Sequence, residues 1–136
     1  MISNNKAKKG SSIYLRAVVL TTDSYIQNTK FENNDSDQQE AERGTVYISF
    51  DDGIMDISDN TFTNNKGIES CISISTNANT DLDSYTLIKN NTFENNEGIV
   101  IGIIENIFIS QVRLELNKFI HNYGQALVIR YGNVAD

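Results

Sequence analysis

An all-β solenoid, in which short parallel strands wind through a stack of similar coils, is the fold class this sequence predicts. Three observations carry the expectation. Phe31, Phe62, Phe93 and Phe119 each open a Phe-x-x-Asn phrase, closed by Asn34, Asn65, Asn96 and Asn122, at intervals of 31, 31 and 26 residues. Self-similarity on a period of 20–50 residues marks a stacked array. Alternation of apolar and polar residues in Val46-Tyr47-Ile48-Ser49-Phe50 and Ile72-Ser73-Ile74-Ser75 has period two, the signature of strands with one buried face. Finally, no stretch of ten or more residues combines a 3.6-residue period with capping signals.

Residues 1–10 (MISNNKAKKG) read as a polar tail, positively charged and without a hydrophobic stretch behind the charges. The repeat then supplies aligned columns. Five residues before each Phe stand Ile26, Ile57, Ile88 and Leu114, and two before stand Thr29, Asn60, Asn91 and Asn117. Two after come Asn33, Asn64, Asn95 and His121; five after come Ser36, Gly67, Gly98 and Gly124. A strand-like run follows each glycine, and in the first coil it follows Gly44. From Phe to Gly takes five residues in the later coils and 13 in the first, which places a polar insertion at 35–43. A second surplus falls at 76–83. Subtracting the insertions leaves a core coil of about 23 residues, and the chain holds four to five such coils in one domain, 1–136.

Stacking explains the residue types. Equivalent positions in successive coils lie about 4.8 Å apart, so like residues form ladders. Phenylalanine buries a large apolar area and stacks on its neighbour. Asparagine tolerates the left-handed conformation of a sharp turn, and its amide both donates and accepts along a column. Glycine supplies a further position with positive φ.

Phe-x-x-Asn followed by Gly and a small or aliphatic pair resembles the repeats of right-handed parallel β-helix proteins with the pectin-lyase-like fold. The chain is most similar to the chlamydial polymorphic outer-membrane protein repeats, in which Phe-x-x-Asn alternates with Gly-Gly-Ala-Ile, and FIHNYGQAL (119–127) is the best local match. The likeness covers residues 26–129 and departs in having one glycine where the family has two. It implies right-handed winding, and a role as an adhesive or passenger stalk or as a polysaccharide-binding or polysaccharide-cleaving scaffold. Met55-x-Ile57-x-x-Asn60-x-Phe62 also fits half of a leucine-rich repeat. That motif wants an aliphatic residue ten positions before the Phe, where the chain has Thr21, Asp52, Asp83 and Ile109.

Composition narrows the partners. The formal net charge of −7 sets the field of the whole molecule against nucleic acid. No apolar run approaches the roughly 20 residues of a membrane span. Cys71, alone, has no disulfide partner within the chain and reads as a small strand residue. Zero proline and 18 each of Asn and Ile are unusual, although both residues also follow AT-rich codons. The chain is expected to be intracellular or, if a piece of a longer secreted chain, extracellular or on the cell surface. Neighbouring repeats or a partner chain are expected to cover the solenoid ends. In a secreted parent, Asn34-Asp35-Ser36 and Asn90-Asn91-Thr92 are glycosylation acceptors.

Two functions compete. A non-catalytic module would present its long laddered surface to a polysaccharide or another protein, without a cofactor. An enzyme would need clustered carboxylates: Asp51, Asp52 and Asp56 are the catalytic candidates, with Asp59 nearby, and Asp51, Asp52, Asp81 and Asp83 are candidate Ca²⁺ ligands. Phe50-Asp51-Asp52-Gly53 resembles the paired-aspartate segment of polygalacturonase-like enzymes. The Gly-His-Gly and Arg-x-Lys parts of that signature are missing. Asp-Asp-Gly is therefore read as a turn, His121 as a substituted turn residue, Arg130 as an exposed strand residue, and Tyr47, Tyr85, Tyr123 and Tyr131 as exposed tyrosines.

Overall fold

Short segments rich in Ile, Val, Thr and Phe, punctuated by Asn and Gly, form strands because branched and aromatic side chains suit a pleated surface. In the computed structural model, which describes residues 1–7, 12–20, 23–36, 44–76, 84–105 and 111–131, these strands recur in fixed order. The first pass holds β1 (Ile2–Ser3), β2 (Lys6–Ala7), β3 (Ile13–Val19) and β4 (Ser24–Gln27). The second holds β5 (Lys30–Glu32), β6 (Asp35–Ser36), β7 (Val46–Asp52) and β8 (Ile54–Ser58). Next come β9 (Thr61–Thr63), β10 (Lys66–Thr76) and β11 (Tyr85–Lys89), then β12 (Thr92–Glu94), β13 (Glu97–Glu105) and β14 (Gln111–Glu115). The chain closes its described part on β15 (Lys118–Ile120) and β16 (Leu127–Tyr131).

Every pairing is parallel. The first sheet runs β1-β5-β9-β12-β15 and the third β14-β11-β8-β4. The second joins β16, β13 and β10, with β7 and β3 beside the long part of β10 and β6 and β2 beside its start. Among the described residues the protein is thus all-β with three parallel sheets and no helix.

Register stacks like on like. Phe31, Phe62, Phe93 and Phe119 are consecutive partners in the first sheet, with ring centroids 4.7, 5.1 and 5.0 Å apart in nearly parallel planes. The second sheet sends Val46, Ile72 and Ile101 inward in one column and Ile48, Ile74 and Ile103 in another; the third sends in Ile57 and Ile88. All of these are buried.

Two asparagine ladders bind the turns. Asn34 donates from N and Nδ2 to Asn65 Oδ1, Asn65 to Asn96 Oδ1 and Asn96 to Asn122 Oδ1, all at 2.9–3.1 Å. The second hydrogen of each Nδ2 goes to a carbonyl one pass back, Ile2 O for Asn34, Phe31 O for Asn65 and Phe62 O for Asn96. The side-chain amides of Asn34, Asn65 and Asn96 each use both donors and both acceptor sites. Asn60, Asn91 and Asn117 repeat this arrangement on Ile26 O, Ile57 O and Ile88 O.

Several expectations change. Ladder bonding stays on the Asn34 column, but the left-handed backbone falls one residue earlier: Asn33, Asn64, Asn95 and His121 take φ of 54°, 55°, 54° and 48°. A further turn column, Asn28, Asp59, Asn90 and Leu116, has φ between 52° and 57°. The tail at 1–10 contains β1 and β2, so Ile2 stands in the phenylalanine column and Asn5 heads the ladder by donating to Asn34 Oδ1. The insertion at 35–43 starts too early, since Asp35 and Ser36 are β6, and 37–43 lie outside the described residues. Thr76 likewise belongs to β10, and 77–83 lie outside. Ser36, not Gly44, is the partner position of Gly67. Glycine follows at Gly98 because φ is 117° and an added Cβ would sit 1.8 Å from Gly67 O, a distance no side chain tolerates.

Candidate functional site

The third sheet alternates cleanly. With Ile26, Ile57 and Ile88 turned inward, the intervening residues of β4, β8, β11 and β14 face out in two ladders, Tyr25–Asp56–Leu87–Arg113 and Gln27–Ser58–Lys89–Glu115. Part of these ladders and of the turn column lines a groove of about 400 Å³, with Gln27, Asp56, Ser58, Asp59, Lys89 and Asn90 on its polar side and Leu87 and Leu116 as its apolar part.

The polar wall is cross-braced. Gln27 Nε2 donates to Asp56 Oδ2 at 3.1 Å and Ser58 Oγ at 3.0 Å, and Asn90 Nδ2 donates to Asp59 Oδ1. Asp56 Oδ1 is shielded from solvent and has no hydrogen-bond partner among the described residues. Beside it Tyr25 is 59% exposed and donates to Asp23 Oδ2 at 3.2 Å. Desolvation, then the negative charges of Asp23 and Asp56, raise the Tyr25 phenol above its ordinary range and keep it a donor. Lys89 pairs with Glu115 at 3.5 Å, and Arg113 lies 4.5 Å over the Tyr85 ring.

The acidic cluster of the sequence is divided by the fold. Asp51 and Asp52 end β7 in the second sheet, Gly53 turns the corner with φ of 114°, and Asp56 begins again on β8 in the third. Asp52 accepts a hydrogen bond from Ser84 Oγ, which also accepts from Gly53 N at 3.0 Å. Asp56 and Asp59 share the groove; Asp52 does not line it. Asp81 and Asp83 lie outside the described residues. Among the described residues no group of three or more His, Cys, Asp or Glu is placed to hold a metal ion.

Other candidates resolve into packing. His121 takes its turn position, as expected. Tyr47 is buried and stacks on Tyr14 at 5.2 Å, contrary to its reading as an exposed tyrosine, whereas Tyr123 is exposed. Arg130 is only half-exposed: its Nη1 donates to Glu69 Oε1 at 2.7 Å, reaching a carboxylate that is 1% exposed. Gly102 makes this possible, since an added Cβ there would lie 2.5 Å from Glu69 Cδ. Glu69 escaped the sequence reading because its room is made by a glycine on the neighbouring strand of the next pass, 33 residues on in the chain. Cys71 is buried, and burial pushes its thiol far up, outweighing the opposite effect of Ser70 Oγ 3.6 Å away.

Gln27 and Ser58 were missed as site residues. Their signal was present in the outward half of the period-two pattern before each Phe, which the repeat columns passed over. Among the described residues no helix is long and apolar enough to cross a membrane. Compared with protein-family models, curated proteins and solved structures, the chain has no match.

Proposed function

We propose that this chain is a non-catalytic module built as a right-handed parallel β-helix of four to five coils, which binds an extended polysaccharide along the outer face of its third sheet. The groove carries the reading. It sets carboxylates, amides, a hydroxyl and the Lys89 ammonium beside the Leu87 and Leu116 side chains, a combination that suits the hydroxyls and the apolar C–H face of a sugar. Asp56 Oδ1, shielded and unpaired, is a local destabilisation of about 1–3 kcal/mol that a ligand hydroxyl entering beside it would relieve. The groove runs across strands of successive passes, which suits a chain ligand. Surface adhesion follows from the same reading when the polysaccharide is anchored.

Affinity electrophoresis against neutral and acidic polysaccharides tests this. At least one polymer should retard the protein, and Asp56→Asn and Gln27→Ala should each weaken retardation about tenfold, the loss of about 1.4 kcal/mol expected for one or two hydrogen bonds. Retention unchanged in both variants would place binding elsewhere. The alternative, a lyase or glycosidase using Asp51, Asp52 and Asp56, predicts Ca²⁺-dependent cleavage of acidic polysaccharides that Asp51→Asn and Asp52→Asn abolish. Such cleavage would replace the non-catalytic reading.

A further inference from the structure

The groove on the third sheet has acceptors to spare. Its nitrogen donors are already engaged: Gln27 Nε2 by Asp56 Oδ2 and Ser58 Oγ, Asn90 Nδ2 by Asp59 Oδ1, and Lys89 Nζ by Glu115 Oε2. Among the described residues no donor reaches Asp56 Oδ1, Asp59 Oδ2 or Gln27 Oε1. Asp56 Oδ1 is also shielded from solvent, where an unpaired charged oxygen is costly. Charge follows the same pattern. Asp56 and Asp59 put two carboxylates on the lining, while the Lys89 charge is matched by Glu115. Asp23, bonded to Tyr25, adds a further carboxylate on the flank of Asp56. Arg113, on the same face, lies over the Tyr85 ring and does not line the groove. The groove therefore favours a ligand that brings donors and positive charge.

We propose, resting on the polysaccharide reading above, that the groove selects a polymer of amino sugars with free, protonated amino groups. An ammonium has three donors and no acceptor, which matches the open oxygens of Asp56, Asp59 and Gln27. Its hydrogen bonds to a carboxylate are charge-assisted and about twice as strong as neutral ones. N-acetylation removes the charge, leaves one donor and adds a carbonyl, where the nitrogen donors of the groove are already taken. A uronate brings one more negative charge against Asp56 and Asp59, in a molecule whose net charge is already −7. Leu87 and Leu116 take the C–H face of the ring, a contact that a polyamine without rings does not make.

Titration calorimetry on the full chain tests the selection. At about pH 6 amines are protonated and carboxylates ionised. Oligomers of glucosamine, N-acetylglucosamine and galacturonate, equal in length, are compared there, with spermine as the amine that lacks a ring. The glucosamine oligomer should bind about tenfold tighter than its N-acetylated form, the gain of one charge-assisted bond over a neutral one. Galacturonate should bind weakest, and added salt should narrow the glucosamine advantage. Asp59→Asn should cut that advantage about threefold. Asn suits the turn, since Asn28 and Asn90 hold the same left-handed conformation in that column, and circular dichroism checks the fold. Equal affinity for the two glucosamine oligomers, each weakened by Gln27→Ala, overturns the amine selection and leaves the polysaccharide reading standing. An advantage that survives both Asp56→Asn and Asp59→Asn overturns the assignment to this groove. Galacturonate binding tightest, or spermine matching the glucosamine oligomer, overturns it as well. Failure of every oligomer to bind overturns both readings.

Discussion

Phe62 and Phe119 occupy the same column, open the same four-residue phrase and stack at nearly the same distance on the preceding ring, yet Phe62 is fully buried and Phe119 is 42% exposed. The asparagines behind them differ likewise. Asn65 bonds to both neighbouring passes, whereas the bonds of Asn122 all go back to one. A repeat motif therefore carries no stability of its own. Its contribution is shared with the pass on either side, as expected of a one-dimensional array.

Truncating the two rings should separate the regions most. Phe62→Ala is expected to destabilise by about 3–5 kcal/mol, because a large cavity opens between two rings that remain. Phe119→Ala should lose under about 2 kcal/mol, since much of that ring already meets water. Urea denaturation monitored by circular dichroism measures both. Equal losses would mean that Phe119 is as well covered as Phe62 under the conditions used.

Next comes the ladder. Asn65→Ala removes the acceptor of Asn34 N and Nδ2 and the donor to Phe31 O inside the protein, a loss of about 3 kcal/mol. Asn122→Ala should lose about half of that, because solvent reaches its surroundings. A Cys71 experiment reads the interior alone. Its folded thiol titrates well above the unfolded one, so the stability tied to the proton is complete below the ordinary thiol range and is lost as pH rises beyond it. Above about pH 8.5 the wild-type chain should lose up to about 1.4 kcal/mol per pH unit relative to Cys71→Ala. Parallel curves for the two proteins would contradict the buried thiol.

The smallest contrast lies in the turns. Asn90 and Leu116 hold the same left-handed conformation, with φ of 53° and 54°. Leucine there is strained, while asparagine is tolerated. Leu116→Asn should stabilise by about 1 kcal/mol and Asn90→Leu should destabilise by about as much, read from denaturation midpoints. If Leu116 also touches the bound polysaccharide, Leu116→Asn will weaken retardation while raising stability.

Legibility followed residue identity. Phenylalanine is scarce enough for its column to stand out, and a buried ladder of Asn34, Asn65, Asn96 and Asn122 needs one residue type throughout. The first pass escaped because Ile2 replaces the ring while keeping its register. Asn5 behind it was visible only as one more polar residue. Adjacent asparagines were also merged: Asn64 and Asn65 look alike in sequence, but one bends the backbone and the other bridges passes. The groove was harder still, since Gln27, Asp56 and Lys89 come from three different passes.

By itself the sequence determined the strand-forming segments, the stacking of like residues and the places where turns must fall, because those depend on local backbone preference and on a regular period. Only the tertiary structure decided which residues share a surface. It parted Asp52 from Asp56 at the Gly53 corner, buried Glu69 against Gly102 with Arg130 two passes on, and left Phe119 open where Phe93 is closed. Burial and pairing are properties of a position between neighbours, and the neighbours lie about thirty residues away along the chain.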